Sequence, residues 1–329
     1  HRPPPPTTPR SNRRQRQMCI RDRYKSKMLL ILILVWLFGH FHCIGHVFQS
    51  LPRVHCWKLI RCPYISYLME LLIAYRDDPA GHNMAKFLSK EMTQEDDGVF
   101  HGKYYDLVMI PTPAISADWL EEKYDYDGFV FLSKHAADSG VLALTCHSTG
   151  NFSDAKFGGN DRQVAIPKPD LQKIYLQTLK DNQSQFSDFQ ITIEATHHGP
   201  TALTKPSIFI EIGTTEKQWT DVHLCNSVAS LIHQVMSQPI KEHPVAICFG
   251  GTHYPSKFTD ELLEGKYALG TVIPKHALGD LDENLFTHIL RQNNMAKTAL
   301  LDWKGLGPVS YTHLTLPTIT SGCWCGWGG

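Results

Sequence analysis

Short apolar runs alternating with amphipathic segments limit the folds open to this chain. Met69 to Tyr75, Leu107 to Ile110, Gly128 to Leu132, Val141 to Thr145, Phe189 to Ile193, Ser207 to Ile212, Val245 to Phe249, Ala268 to Ile273 and Thr298 to Leu301 have the length and composition of strands. Helical segments fall between them at Pro79 to about Lys90, Asp170 to Lys180, Thr220 to Met236, Lys257 to Gly265 and Leu281 to Gln292, with an irregular acidic piece at Asp118 to Asp127. Asp77-Asp78-Pro79 is a helix start, with Asp78 as cap and Pro79 in the first turn, where its missing N–H costs nothing. This alternation implies an α/β domain of three layers, a mixed or largely parallel sheet flanked by helices.

That domain does not need the whole chain. Of 329 residues, the first 68 hold 12 of the 32 Lys and Arg but a single acid, Asp22, and six of the nine cysteines lie before residue 69 or after residue 308. Residues 14–23 and 308–319 resemble translated library adapter sequence. The expected division is therefore a non-native leader over 1–68, a working domain over 69–308 and an adapter-derived tail over 309–329. Residues 28–39, MLLILILVWLFG behind Lys25 and Lys27, fit either a secretory signal or read-through of untranslated sequence before a natural start at Met69. They are too few to span a bilayer. Residues 40–68 show no small-residue cleavage site, which favours the second account and a cytoplasmic location over the secretory pathway.

The working domain carries 20 Lys and Arg against 31 Asp and Glu, a formal charge of −11 with neutral histidines. Such a field does not draw in nucleic acid, so an RNA partner needs a local basic patch, for which Lys134, Lys156, Arg162, Lys168, Lys257 and Lys275 are candidates. Cys146, Cys225 and Cys248 are too widely spaced for a disulfide framework or a zinc knuckle, and a reducing compartment fits them. Neither a P-loop nor a strand-GxGxxG-helix unit is present, nor the GxSxG elbow of serine hydrolases.

Several apolar runs end in a glycine turn carrying His or Glu. Cys146-His147-Ser148-Thr149-Gly150-Asn151, Glu194-Ala195-Thr196-His197-His198-Gly199-Pro200, Glu211 before Gly213-Thr214-Thr215, and Gly250-Gly251-Thr252-His253-Tyr254-Pro255 follow this pattern, and a further strand ends in Ser133-Lys134-His135. Ligand sites in open α/β sheets lie beyond the carboxyl ends of strands, so these groups are expected to converge on a metal or an acid–base pair. His147, His198, Glu211 and His253 are the expected metal ligands, and Glu194 and His197 the expected proton acceptors. If the strand stays extended past Ile193, Glu194, Thr196 and His198 share a face and His197 turns away.

The motifs SKHAADSGVLALTCHSTGN from Ser133, EATHHGPT from Glu194, FIEIGTTEKQW from Phe209, GGTHYPSKF from Gly250 and LDWKG from Leu301 resemble the archaeal and plant-type D-aminoacyl-tRNA deacylases over roughly residues 70–306. The resemblance implies a phosphorylase/hydrolase-like α/β fold and hydrolysis of the ester between a D-amino acid and tRNA. It implies zinc, two ions per chain, and a monomer needing no stable protein partner and no membrane. His135, His147, Glu194, His197, His198, Glu211 and His253 fall on the family's motif positions, a match that does not divide them into ligands and bases. Lys134, His135, Thr149, Gly150, Asn151, Gly199, Thr214, Thr215 and Tyr254 are expected to contact substrate. Two departures stand out: the family's GGGHYAP-like turn reads Gly250-Gly251-Thr252-His253-Tyr254-Pro255, and the adapter-like tail follows LDWKG. A zinc peptidase or amidohydrolase acting without tRNA is the rival enzyme, and a metal-stabilised binding domain the non-enzymatic alternative.

Overall fold

The computed structural model describes residues 69–95, 97–137 and 140–302. The leader over 1–68, with its signal-like segment, and the tail over 309–329 lie outside the described residues. Thirteen strands are described. They are β1 (Glu70–Tyr75), β2 (Thr93–Gln94), β3 (Val99–His101), β4 (Tyr105–Ile110), β5 (Gly128–Ala136), β6 (Ala143–His147), β7 (Gly150–Asn151), β8 (Gln163–Val164), β9 (Gln190–Ile193), β10 (Ser207–Thr214), β11 (Val245–Phe249), β12 (Ala268–Ile273) and β13 (Thr298–Leu301). The α-helices are α1 (Pro79–Leu88), α2 (Leu120–Lys123), α3 (Pro169–Asp181), α4 (Glu216–Trp219), α5 (Val222–Met236), α6 (Ser256–Glu264) and α7 (Glu283–Gln292). No helix among these residues is long and apolar enough to cross a membrane.

Eight strands form one sheet in the order β2-β3-β4-β1-β5-β10-β6-β9. Its centre, β4-β1-β5-β10, is parallel, while β6 runs antiparallel to β10 and carries β9 parallel to itself. Alternation along the strands separates two cores. Leu72, Ala74, Val130, Leu132, Ile208 and Ile210 pack with α1, α3 and α5, whereas Leu71, Ile73, Phe129, Phe131 and Phe209 pack with Ala114, Ala117 and Leu120. Burying each such side chain stabilises the fold by about 1.5–3 kcal/mol. These layers are the α/β architecture expected from the element order.

The C-terminal strands do not extend that sheet. β11, β12 and β13 form a separate parallel sheet in the order β12-β11-β13, with α7 against one side and α3 and α6 near the other. Lys173 on α3 fastens the α6 end, donating to the carbonyl oxygens of Leu262, Gly265 and Tyr267 at 2.6, 2.9 and 3.1 Å. Asp78 caps α1 through Gly81 N–H at 2.9 Å, and its other oxygen accepts from the Ser133 hydroxyl at 3.0 Å and Lys134 N–H at 2.9 Å. The cap thereby ties α1 to the end of β5, one residue before His135.

Candidate metal centre

Three strands of the large sheet supply the floor and the first candidate ligands. Direct cross-strand neighbours share a face, and Phe209 lies opposite both Phe131 and His147, while Gly213 lies opposite His135. Period-two alternation then puts Phe131, His135, His147, Phe209 and Glu211 on one face, the one turned away from α1, α3 and α5. Phe131 and Phe209 stack with ring centroids 4.6 Å apart, and His147 stacks on Phe209 at 5.4 Å. The site is not at one carboxyl edge, as the strand-end rule suggested. β6 runs antiparallel, so His147 reaches the level of Phe209, and Glu211 lies inside β10 instead of at its terminal turn.

The remaining groups come from the junction of the two sheets. After β9 ends at Ile193, Ala195 N–H donates to the His253 carbonyl, Thr196 N–H to the Val272 carbonyl, and Val272 N–H to the Thr196 hydroxyl, each at 2.9 Å. The chain is not extended there: His198 has a φ of +46°, in the left-handed region. His197 therefore does not turn away from His198. Both rings face His147, with centroid distances of 4.3 and 4.8 Å, and His198 also meets Phe209 edge-on at 4.8 Å.

Glu194 is fully buried. His253 Nε2 lies 2.9 Å, and His197 Nε2 3.6 Å, from its Oε2, with His135 Nδ1 3.1 Å from its Oε1. Neither oxygen accepts a well-aligned hydrogen bond despite these approaches. Glu211 Oε2 lies 3.1 Å from the same His135 nitrogen, and the Tyr254 hydroxyl lies 2.7 Å from His135 Nε2. Burial alone would raise both carboxyl pKa values, but His135 and His253 hold Glu194 well below the usual range, and His135 and His147 hold Glu211 below it. Burial opposes charge on His135, yet Glu194 and Glu211 outweigh it and push its pKa up to about 10. His147 is raised in the same way, against burial, by Glu211 and Glu194. Burial, followed by the charge of His147, pulls His197 well below the usual imidazole range and His198 down to about 4.

The donor atoms suit a divalent cation. Nδ1 of His147, His197 and His198 lies 3.1, 2.8 and 2.7 Å from the carbonyl oxygens of Ser148, Ala195 and Gly199. A carbonyl only accepts, so Nδ1 carries the proton on each ring, and the neutral form of each, the form that binds a metal, offers its lone pair at Nε2. The ligand atoms of these three residues lie within 4.8 Å of one another, as do those of His135, Glu194 and His253, and those of His147, Glu194 and Glu211. His147 Nε2 is buried without a hydrogen-bond partner. Two ionised carboxylates among imidazole lone pairs form a nitrogen–oxygen donor set of the kind that zinc takes.

The four expected ligands do not form one set. His147 shares one group with His198 and another with Glu211, while His253 belongs to the third. His135, expected to touch substrate, lies at the centre of the cluster; its place opposite Gly213 follows from strand register, which the sequence does not display. Thr149 and Asn151 are committed to loop structure, the first donating to the Pro200 carbonyl at 2.6 Å and the second to those of Gly158 and Asn160. Gly150 N–H bonds the His198 carbonyl at 2.8 Å, and a Cβ on Gly199 would come within 2.3 Å of the Gly159 nitrogen. These two glycines allow close backbone contact and leave no free donor toward a ligand. Thr214 donates to the Val141 carbonyl, and Thr215 caps α4. Lys134 is exposed, with Nζ 4.9 Å from the Trp219 ring centroid, and Tyr254 borders the centre. In the anticipated basic patch, Arg162 pairs with Asp282, Lys168 with Glu70 and Lys257 with Asp302, while Lys156 and Lys275 are exposed.

Fold and site together define an α/β protein built around a buried imidazole–carboxylate centre where two sheets meet. The family model for D-aminoacyl-tRNA deacylase matches residues 122–315. The D-aminoacyl-tRNA deacylase of Cenarchaeum symbiosum is 57% identical over 240 residues, covering 73% of this chain and 93% of its own length. That of Thermoplasma acidophilum is 33% identical over 240 residues, covering 72% and 91%. The crystal structure of a conserved protein of unknown function, AF0625, superposes with a TM-score of 0.71 at 27% identity, covering 75% of this chain and 90% of that one. The chain belongs to the D-aminoacyl-tRNA deacylase family.

Proposed function

We propose that this chain hydrolyses the ester bond of D-aminoacyl-tRNA, releasing free D-amino acid and tRNA, with zinc held by the imidazole–carboxylate centre. Family membership supports the substrate. The metal rests on one observation: the ligand atoms of His147, His197 and His198 lie within 4.8 Å of one another, each Nδ1 is held by a carbonyl, and Nε2 of His147 and of His197 lies 3.8 and 3.6 Å from a buried carboxylate oxygen. His147, His197 and His198 would hold the ion, and zinc so held supplies a Lewis acid for the ester carbonyl.

The other steps belong to the chain's own side chains. His253 is 47% exposed on its side chain, and its Nε2 faces Glu194 at 2.9 Å. With the ring proton drawn to Nε2 by the carboxylate charge, Nδ1 is the nitrogen that takes a proton from the attacking water and returns it to the departing ribose oxygen. Glu194 keeps its charge and steadies the imidazolium, as a buried carboxylate does behind a catalytic histidine. A carboxyl held so far below its usual pKa is a weak base, so the proton-accepting role passes from Glu194 and His197 to His253. His135 stacks on His253 with ring centroids 5.6 Å apart and is itself held by the Tyr254 hydroxyl at 2.7 Å.

His135, Glu194 and His253 could instead hold a second ion, in keeping with the two ions that the family resemblance implies. Metal content distinguishes the two uses: one ion per chain leaves His253 as the base, and two make it a ligand. The enzyme works in the cytoplasm, where its tRNA substrate is, and needs no stable protein partner. The test is hydrolysis of D-tyrosyl-tRNA before chelation, after chelation and after zinc is restored, with metal content measured alongside. Activity indifferent to chelation would reject the metal, and no turnover by zinc-loaded protein would reject the substrate.

A further inference from the structure

We propose that Phe157 is the stacking platform for the terminal base of the tRNA acceptor end; this rests on the deacylase reading above. Phe157 is 68% exposed, the highest value among the large apolar side chains of the described residues. A lone exposed apolar residue is ordinary. What distinguishes Phe157 is how firmly its backbone is held and against what.

Its carbonyl accepts from Gly199 N–H at 3.0 Å, the residue after His198. Gly158 and Gly159 follow in left-handed conformations, with φ of +77° and +75°. A Cβ on Gly158 would lie 1.9 Å from the Ile115 carbonyl oxygen, and one on Gly159 would lie 2.7 Å from the Thr201 side chain. Asn151 holds the Gly158 and Asn160 carbonyls at 2.8 and 3.1 Å, and Asn160 N–H donates to the Thr201 hydroxyl at 2.8 Å. Arg162 N–H closes the loop on the Ser153 carbonyl at 3.0 Å. The loop is thus clamped to the histidine turn, and the aromatic ring it presents to water has little backbone entropy left to lose on binding.

The substrate's covalent structure says what belongs there. The scissile ester is on the ribose of the terminal adenosine, so a carbonyl placed at the histidines leaves the adenine one ribose away. An exposed aromatic ring offers such a base a π-face, the usual device for holding an unpaired nucleotide. Lys156, the preceding residue, is also exposed and can meet the adjoining phosphate. The arrangement supplies local recognition on a domain whose net charge is −11.

The test is a binding cycle on the full chain, with wild type, F157A and F157W titrated against uncharged tRNA that keeps or lacks its terminal adenosine. Stacking predicts that wild type prefers the intact tRNA by about 5- to 150-fold, the range for one base on one aromatic ring. F157A should bind both RNAs alike, at the wild-type level for the shortened one, and F157W should keep the preference. An undiminished preference in F157A would overturn the proposal, as would equal binding of the two RNAs by wild type. Hydrolysis of D-tyrosyl-tRNA by wild type is followed separately, so failure of the deacylase function shows there while the binding cycle still decides the role of Phe157.

Discussion

Replacing Glu194 by Gln removes one charge and almost no volume, which isolates what the buried carboxylate does. Its oxygens face imidazole nitrogens at 2.9 Å (His253) and 3.1 Å (His135), so an amide NH2 points at a ring nitrogen whichever way it is turned. His135, with a pKa pushed up to about 10, keeps its charge and loses one of two partners. Removing one member of a buried ion pair costs about 3–5 kcal/mol. At roughly 2–4 °C per kcal/mol for a domain of this size, the thermal midpoint should fall by about 6–20 °C. Bound zinc should fall with it, since the carboxylate adjoins every ligand group. Calorimetry with and without chelator, paired with metal analysis, measures both. Unchanged midpoint and metal content, with only turnover lost, would refute the assignment and return Glu194 to the role of proton acceptor.

Three further outcomes are expected. D78A should destabilise the fold by about 2–4 kcal/mol in urea unfolding, combining the lost helix cap with the stranded Ser133 hydroxyl and Lys134 N–H, and D78N should cost less because one oxygen remains. H253A should slow single-turnover hydrolysis by about 10²- to 10⁴-fold and lower the thermal midpoint less than E194Q does, because the buried Glu194 carboxylate keeps His135 at 3.1 Å. In chelated protein, His198 titrates at about 4 when folded and near the ordinary 6.5 when unfolded, so the unfolded chain takes the proton first. Stability attributable to His198 is then present above pH 6.5 and lost as pH falls toward 4, and the difference between wild type and H198Q across that window should show it.

Much of the fold was legible because periodicity and punctuation are local. Asp78-Pro79 opens α1 where the capping pattern put it, and β11, β12 and β13 match their apolar runs. The grouping of those three strands into a second sheet was not legible, since pairing partners leave no trace in one strand's pattern. Nor was the antiparallel course of β6, or the β2–β3 hairpin at the sheet edge, whose strands are only two and three residues long. The convergence of His135, His147, Glu194, His197, His198, Glu211 and His253 could be anticipated from their common place near glycine turns. Their grouping could not. It depends on a left-handed residue at His198, a conformation uncommon outside glycine, and on Glu211 lying within a strand. Basic residues were the least informative: Arg162, Lys168 and Lys257 each pair with a carboxylate distant in sequence.

Chirality provides the most direct measurement. An enzyme that cleaved L-aminoacyl esters would destroy the normal substrates of translation, so the centre must reject them at the reacting carbon. A site that hydrogen-bonds the α-amino group and fixes the ester carbonyl would make the mirror-image substrate strand a polar partner or drive its side chain into the wall. Single-turnover hydrolysis of D-tyrosyl-tRNA and L-tyrosyl-tRNA by the zinc-loaded full chain should show release of D-tyrosine far faster than of L-tyrosine, whereas equal rates on the two would contradict the account and leave a general metalloesterase.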